Sequence, residues 1–266
     1  MSVALRMALE RDPDVALATI ATAATALGVA LVAAAAEAPS RGLDLGSAWP
    51  FLLAGLLSPG AAQILVTIAI RESGASRVSM VFGTAPLVSV AIALVFLGEP
   101  VRTSLLAGAV LVVAGGVELT RERERPAHLN RLGLVCAFAG ATLFAIRDNL
   151  VRHLAVGRTA VPPAVAAAAA LLGGTLFIAV WARKRMGRRW LRFVPAGLLF
   201  GGSYVSLFEA YYRGRVTVVA PLVAIESLVG VGLSVLLLRD SELVGRRLAF
   251  GAALIVAGGA VIGATR

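Results

Sequence analysis

The chain contains one cysteine, Cys136, so it has no intramolecular disulfide and no cysteine cluster for a metal. Its only histidines are His128 and His153, and the helix motif in which two histidines flank a glutamate is missing. There is no Walker loop, which excludes direct drive by ATP, and no serine nucleophile elbow or aspartate cluster for phosphotransfer. The residues therefore point to no enzyme, no metal and no cofactor. Charge is scarce too, at 15% of residues, where an ordinary soluble domain carries about a quarter.

What the chain has instead is apolar surface: 59% of its residues are hydrophobic and its mean hydropathy is +0.88, against roughly 45 to 50% in soluble domains. A core of 266 residues cannot hide that much, so lipid tails act as a second solvent. The net charge of +10 does not point to nucleic acid. Its cations sit in short loops between apolar runs, without a basic stripe or an aromatic platform. All but Lys184 of the 25 cations are arginines.

A helix needs about 20 apolar residues to cross the hydrocarbon layer. Cutting the chain where charges and turn residues cluster gives nine runs near 15–36, 50–70, 78–98, 103–120, 132–152, 162–183, 192–212, 216–238 and 247–264. The runs are continuous and not alternating, so they predict an all-α polytopic bundle whose short loops keep successive helices antiparallel. Arg6 and Arg11 precede the first run and alanines near its end resemble a signal-peptidase site, but the apolar core is too long for a signal peptide.

The chain also repeats itself. Ala4-Leu5-Arg6 through Arg11 matches Ala145-Ile146-Arg147 through Arg152 at an offset of 141, which also sets Leu87-Val88 on Leu228-Val229 and Gly98-Glu99 on Arg239-Asp240. A two-residue slip then aligns Ala107–Gly116 with Phe250–Gly259. We divide the chain at 1–124 and 125–266. The second copy has five spans, and an odd number makes tandem copies enter the membrane from opposite faces, a plan common among transporters. At this offset Met1 falls on Thr142, and the counterpart of Leu132–Ala141 is absent from the first copy. The expectation is either a start upstream with a tenth helix or a nine-span protein.

Thr84–Pro100 followed by Leu105–Leu119, and Val219–Glu242 followed by Phe250–Gly263, resemble the last two helices of each half of EamA-type members of the drug/metabolite transporter superfamily. The resemblance covers nearly the whole chain, with two departures: most of a first helix is missing, and Arg239-Asp240 stands where Gly-Glu is usual. It implies ten helices in inverted halves and export of a small metabolite or drug-like molecule by alternating access in the cell membrane. A non-transporting assembly or sensor protein and a lipid flippase are the alternatives. The partners expected are a small-molecule substrate and the lipid bilayer, with a homodimer as a further expectation.

Within the runs, polar residues are weighed against structural roles. Glu226 lies near the centre of a run, where an acid costs roughly 2.5 to 3.5 kcal/mol. It is the first candidate for binding a proton or a substrate amine, the alternative being a buried pair with an arginine such as Arg147. Glu209 and Tyr204 are candidates for the same cavity, although an interfacial belt with Tyr211 and Tyr212 explains them equally. Gln63 and Thr67, one turn apart, read as interhelical hydrogen bonding or substrate contact. Arg147, Asp148 and Asn149 are expected at the membrane surface as a local salt bridge or a gate. Gly108 and Gly115, with Gly251 and Gly258, recur at seven residues and predict close helix packing. Pro86 and Pro221 fall inside helix-forming regions and predict kinks, while Glu99 and Asp240 mark equivalent helix ends.

Counting cations by side gives 17 on the side of Arg6, Arg71, Arg77 and the 183–192 loop, and 8 on the other. Charge bias puts the first set in the cytoplasm, whereas the resemblance implies the opposite orientation.

Overall fold

The computed structural model describes residues 1–97, 103–120, 131–157, 161–183, 188–223, 225–238 and 246–263, and every regular element among them is helical. Glu99, Asp240, His128 and Lys184 lie outside the described residues, as does the side chain of Pro221.

Each apolar run becomes helix. After α1 (Ser2–Arg11) come α2 (Val15–Arg41) and an interrupted crossing made of α3 (Trp49–Gly55), a wide turn at Leu56–Ala61, and α4 (Ala62–Ser73). Then follow α5 (Ala75–Phe82), α6 (Ala85–Phe96), α7 (Thr103–Thr120), α8 (Arg131–Gly157), α9 (Pro163–Ala182) and α10 (Val194–Arg213). The chain ends with α11 (Val216–Val223), α12 (Ile225–Leu237) and α13 (Arg246–Gly263). Six helical stretches among the described residues are long and apolar enough to cross a membrane. Their outward faces carry large side chains such as Val95, Val180 and Leu198, the pattern of a bundle that faces lipid.

Inversion of the two halves is visible in packing. The 141 offset makes α2 and α9 equivalent, and they lie antiparallel. Ile20 near the start of α2 shares an apolar cluster with Ile178 and Ala182 near the end of α9. At the opposite end the backbone N–H of Ala164 donates to Glu37 Oε2 at 3.0 Å. Helices α7 and α13 cross in the same antiparallel sense, with Gly115 against Gly251 and Gly108 against Gly258. A methyl group on Gly115 would lie 2.5 Å from the carbonyl oxygen of Gly251, and one on Gly258 would lie 2.5 Å from that of Gly108. Only glycine lets these two backbones touch.

A second pairing, α2 with α10, is parallel. Gly197 faces Thr22 and Thr25, and Gly201 faces Ala26 one level further along. On the other side Gly55 meets the backbone of Ala170, and Gly173 that of Leu52. Helices α2, α3, α9 and α10 therefore interlock through small residues, while α10 turns its aromatic side chains, Phe200, Tyr204 and Phe208, into the core.

The segment between α5 and α6 departs from expectation at Pro86. The ladder stops at Gly83 and Thr84, and Pro86 stands in the first turn of α6. A missing N–H costs nothing there, so Pro86 opens a helix and does not kink the interior of one. A kink occurs elsewhere among the described residues: Ser58, before Pro59, leaves helical geometry at φ −147° and ψ 117° inside the 49–73 crossing. The triplet Ser58-Pro59-Gly60 was its signal in the sequence.

Candidate functional site

A cavity of about 460 Å³ opens between the halves. The first repeat lines it from α4, α5 and α6 with Val66, Val78, Phe82, Pro86 and Ser89. The second lines it from α8, α10, α11 and α12 with Phe144, Arg147, Asp148, Tyr204, Val219 and Glu226. Most of the wall is apolar, and the charged side chains on it are Arg147, Asp148 and Glu226.

Glu226 is in the first turn of α12, and its side chain is exposed to the cavity. Arg147 also reaches this cavity, so the two stand on one surface, but its ion pair is with its chain neighbour: Nη2 lies 2.7 Å from Asp148 Oδ1.

Arg147 sits well inside α8 and is 3% exposed, not at the surface as the sequence suggested. The helix continues past residue 152 to Gly157 because Arg152 is satisfied at its flank, donating from Nη1 to the carbonyls of Tyr211 (3.0 Å) and Tyr212 (3.3 Å). The Arg147 guanidinium carbon is 4.9 Å from the ring centre of Phe144 and 4.8 Å from that of Tyr204. Cation–π contact with two rings helps to hold a charge that the bilayer core would otherwise expel. Successive residues of a helix are about 100° apart, so Asn149 faces elsewhere. Its Nδ2 donates to the Ser89 carbonyl of α6 and to the Ala145 carbonyl, each at 3.0 Å. The polar triplet thus braces α8 against both cavity walls.

Tyr204 is fully buried and has two tasks. Its ring covers Arg147, and its hydroxyl donates to the Ser58 carbonyl at 3.0 Å, a carbonyl at the kink. Its ring also stacks on Phe208 at 4.9 Å between centres.

The remaining candidates stand apart. Gln63 and Thr67 are fully buried, with Thr67 Oγ1 donating to the Gln63 carbonyl at 2.8 Å. Neither lines the cavity, whereas Val66 between them does. Glu209 belongs to a network at the far end of α10, 3.3 Å from Arg41 and paired with Arg213 in the next turn. It borders a separate recess with Arg41, Tyr212 and Pro163. Among the described residues no cluster of histidine, cysteine and acidic side chains is arranged to hold a metal.

A search of curated proteins finds no match. One solved structure, described only as the crystal structure of a protein, superposes with a TM-score of 0.70 at 23% identity, over 98% of this chain and 94% of its own. That likeness carries the fold alone. The sequence matches the EamA-like transporter family twice, over residues 1–120 and 131–264. With two inverted repeats around a shared cavity, the chain belongs to the EamA-like transporter family and is a multi-pass membrane transporter of the drug/metabolite transporter superfamily.

Proposed function

We propose that the protein is a secondary transporter of the cell membrane that exports a small metabolite or drug-like molecule by alternating access between its two repeats. The observation that carries this reading is the cavity of about 460 Å³, lined by both halves and holding three charged side chains on a mostly apolar wall. Its volume suits a small molecule. A cavity shared by inverted halves changes its open side when the halves exchange shapes. The apolar wall takes the body of the substrate, and Glu226 takes a proton or a substrate cation. Export as the direction is part of this proposal, and the flux measurement tests it.

The test is flux in proteoliposomes with a pooled metabolite library, comparing the unaltered chain and Glu226→Gln with and without a pH gradient. We expect saturable flux from the unaltered chain and no response to the gradient in the variant. Absence of flux from folded protein would overturn transport in favour of an assembly or sensor role. Flux that responds to the gradient equally in both proteins would remove Glu226 from the coupling while leaving transport in place.

A further inference from the structure

At the end of the bundle where α2 and α10 begin, basic charge, apolar surface and a buried acid meet outside the central cavity. Residues Arg188–Phe193 form a tight 3-10 turn that leads into α10. Phe193 is fully buried, Trp190 packs half-buried on the core, and Leu191 is 57% exposed. A turn of this composition at the end of a membrane helix belongs at headgroup level, where an indole ring is at home and an exposed leucine reaches acyl chains.

Beneath the turn lies Asp12, in the link between α1 and α2, with its carboxylate fully buried. Arg189 grips it as a fork, donating from Nε to Oδ2 at 2.7 Å and from Nη2 to Oδ1. Arg192 adds a third contact, with Nη1 3.7 Å from Oδ2, and donates to the Arg11 carbonyl at 3.5 Å. Asp12 thus orients two guanidinium groups, and Asp14 also acts on Arg189; against these two acids stand Arg189, Arg192 and the exposed Arg11 and Arg183, which leaves this end net positive. The Arg189 and Arg192 side chains nevertheless remain 60% and 49% exposed. Exposed Arg11 and Arg183 raise the positive potential at the same end.

Two arginines fixed from below and open above are suited to phosphate oxygens, because their planar donor forks lose little further freedom on binding. We propose that Arg189 and Arg192 form a seat for the phosphate of an anionic phospholipid, with Leu191 against its acyl chains. The surplus charge favours an anionic headgroup over a zwitterionic one, and the flanking apolar side chains favour a lipid over free phosphate. Asp12 belongs to the first repeat and the two arginines to the second, so the lipid sits on a junction between the halves.

The experiment uses the full chain in nanodiscs of equal phosphatidylglycerol and phosphatidylcholine, followed by extraction and native mass spectrometry of retained lipid. We expect phosphatidylglycerol to be retained in preference to phosphatidylcholine, and Arg192→Gln to lower that preference about fivefold, the worth of one surface arginine near anionic lipid. Arg41→Gln, at the opposite end, leaves it unchanged. Equal retention of the two lipids by the unaltered chain overturns the proposal without any variant, and so does undiminished preference in folded Arg192→Gln. Displacement of the retained phosphatidylglycerol by millimolar inorganic phosphate alone would assign the seat to free phosphate and overturn the lipid.

Discussion

The hydroxyl of Tyr204 donates to the carbonyl of Ser58 at 3.0 Å, joining α10 to the kink in the 49–73 crossing of the first repeat. The same ring covers the Arg147 guanidinium, so a single side chain binds the kink and the cavity charge together. Tyr204→Phe keeps the ring and removes the donor. We expect a loss of about 1 to 3 kcal/mol, the cost of a buried carbonyl left without its partner, read as a lower unfolding midpoint in detergent.

Contact between α7 and α13 rests on paired glycines. Gly115→Ala and Gly258→Ala each bring a methyl group against a backbone carbonyl, which cannot swing aside as a side chain does. Overpacking of this kind costs about 1 to 3 kcal/mol. Gly232→Ala, where a methyl group meets open space, serves as the control; it is expected to be neutral or slightly stabilising because alanine favours helix. Thermal unfolding of the three variants side by side checks the contrast.

Arg147 and Asp148 are both at least nine-tenths buried and form a pair. Removing one partner strands the other charge. Arg147→Met and Asp148→Asn are each expected to cost about 3 to 5 kcal/mol, and the double variant Arg147→Met with Asp148→Leu less than the sum of the two. A double-mutant cycle in denaturant measures the coupling.

Glu209 gives the opposite case. Its partner Arg41 is 42% exposed and the network lies outside the cavity. Solvent weakens such pairs to about 1 kcal/mol or less. Glu209→Gln is therefore expected to leave both stability and the substrate KM of the transporter nearly unchanged, whereas Glu226→Gln alters transport. Parallel flux measurements separate the two acids.

The amino-acid sequence by itself determined the class of the protein, its helical runs and its repeated, inverted plan. These follow from quantities read along the chain: apolar lengths that match a bilayer, a fixed offset between copies, and an odd number of spans in the complete one. The glycines that meet where α7 and α13 cross were legible for the same reason, since seven residues return a helix to nearly the same face.

Only the tertiary structure decided which polar residues share a cavity. Gln63 and Thr67 missed the wall that Val66 reached because one residue turns a helix by about 100°, and no local pattern says which face a neighbour will cover. Arg147 moved from an expected surface into the interior because distant partners, the rings of Phe144 and Tyr204 and the Asp148 carboxylate, meet its charge there. Asp12 and Arg189 are joined across the two repeats by contact alone. Hydropathy fixes how deep a helix lies; what a charge meets at that depth depends on helices far away in the chain.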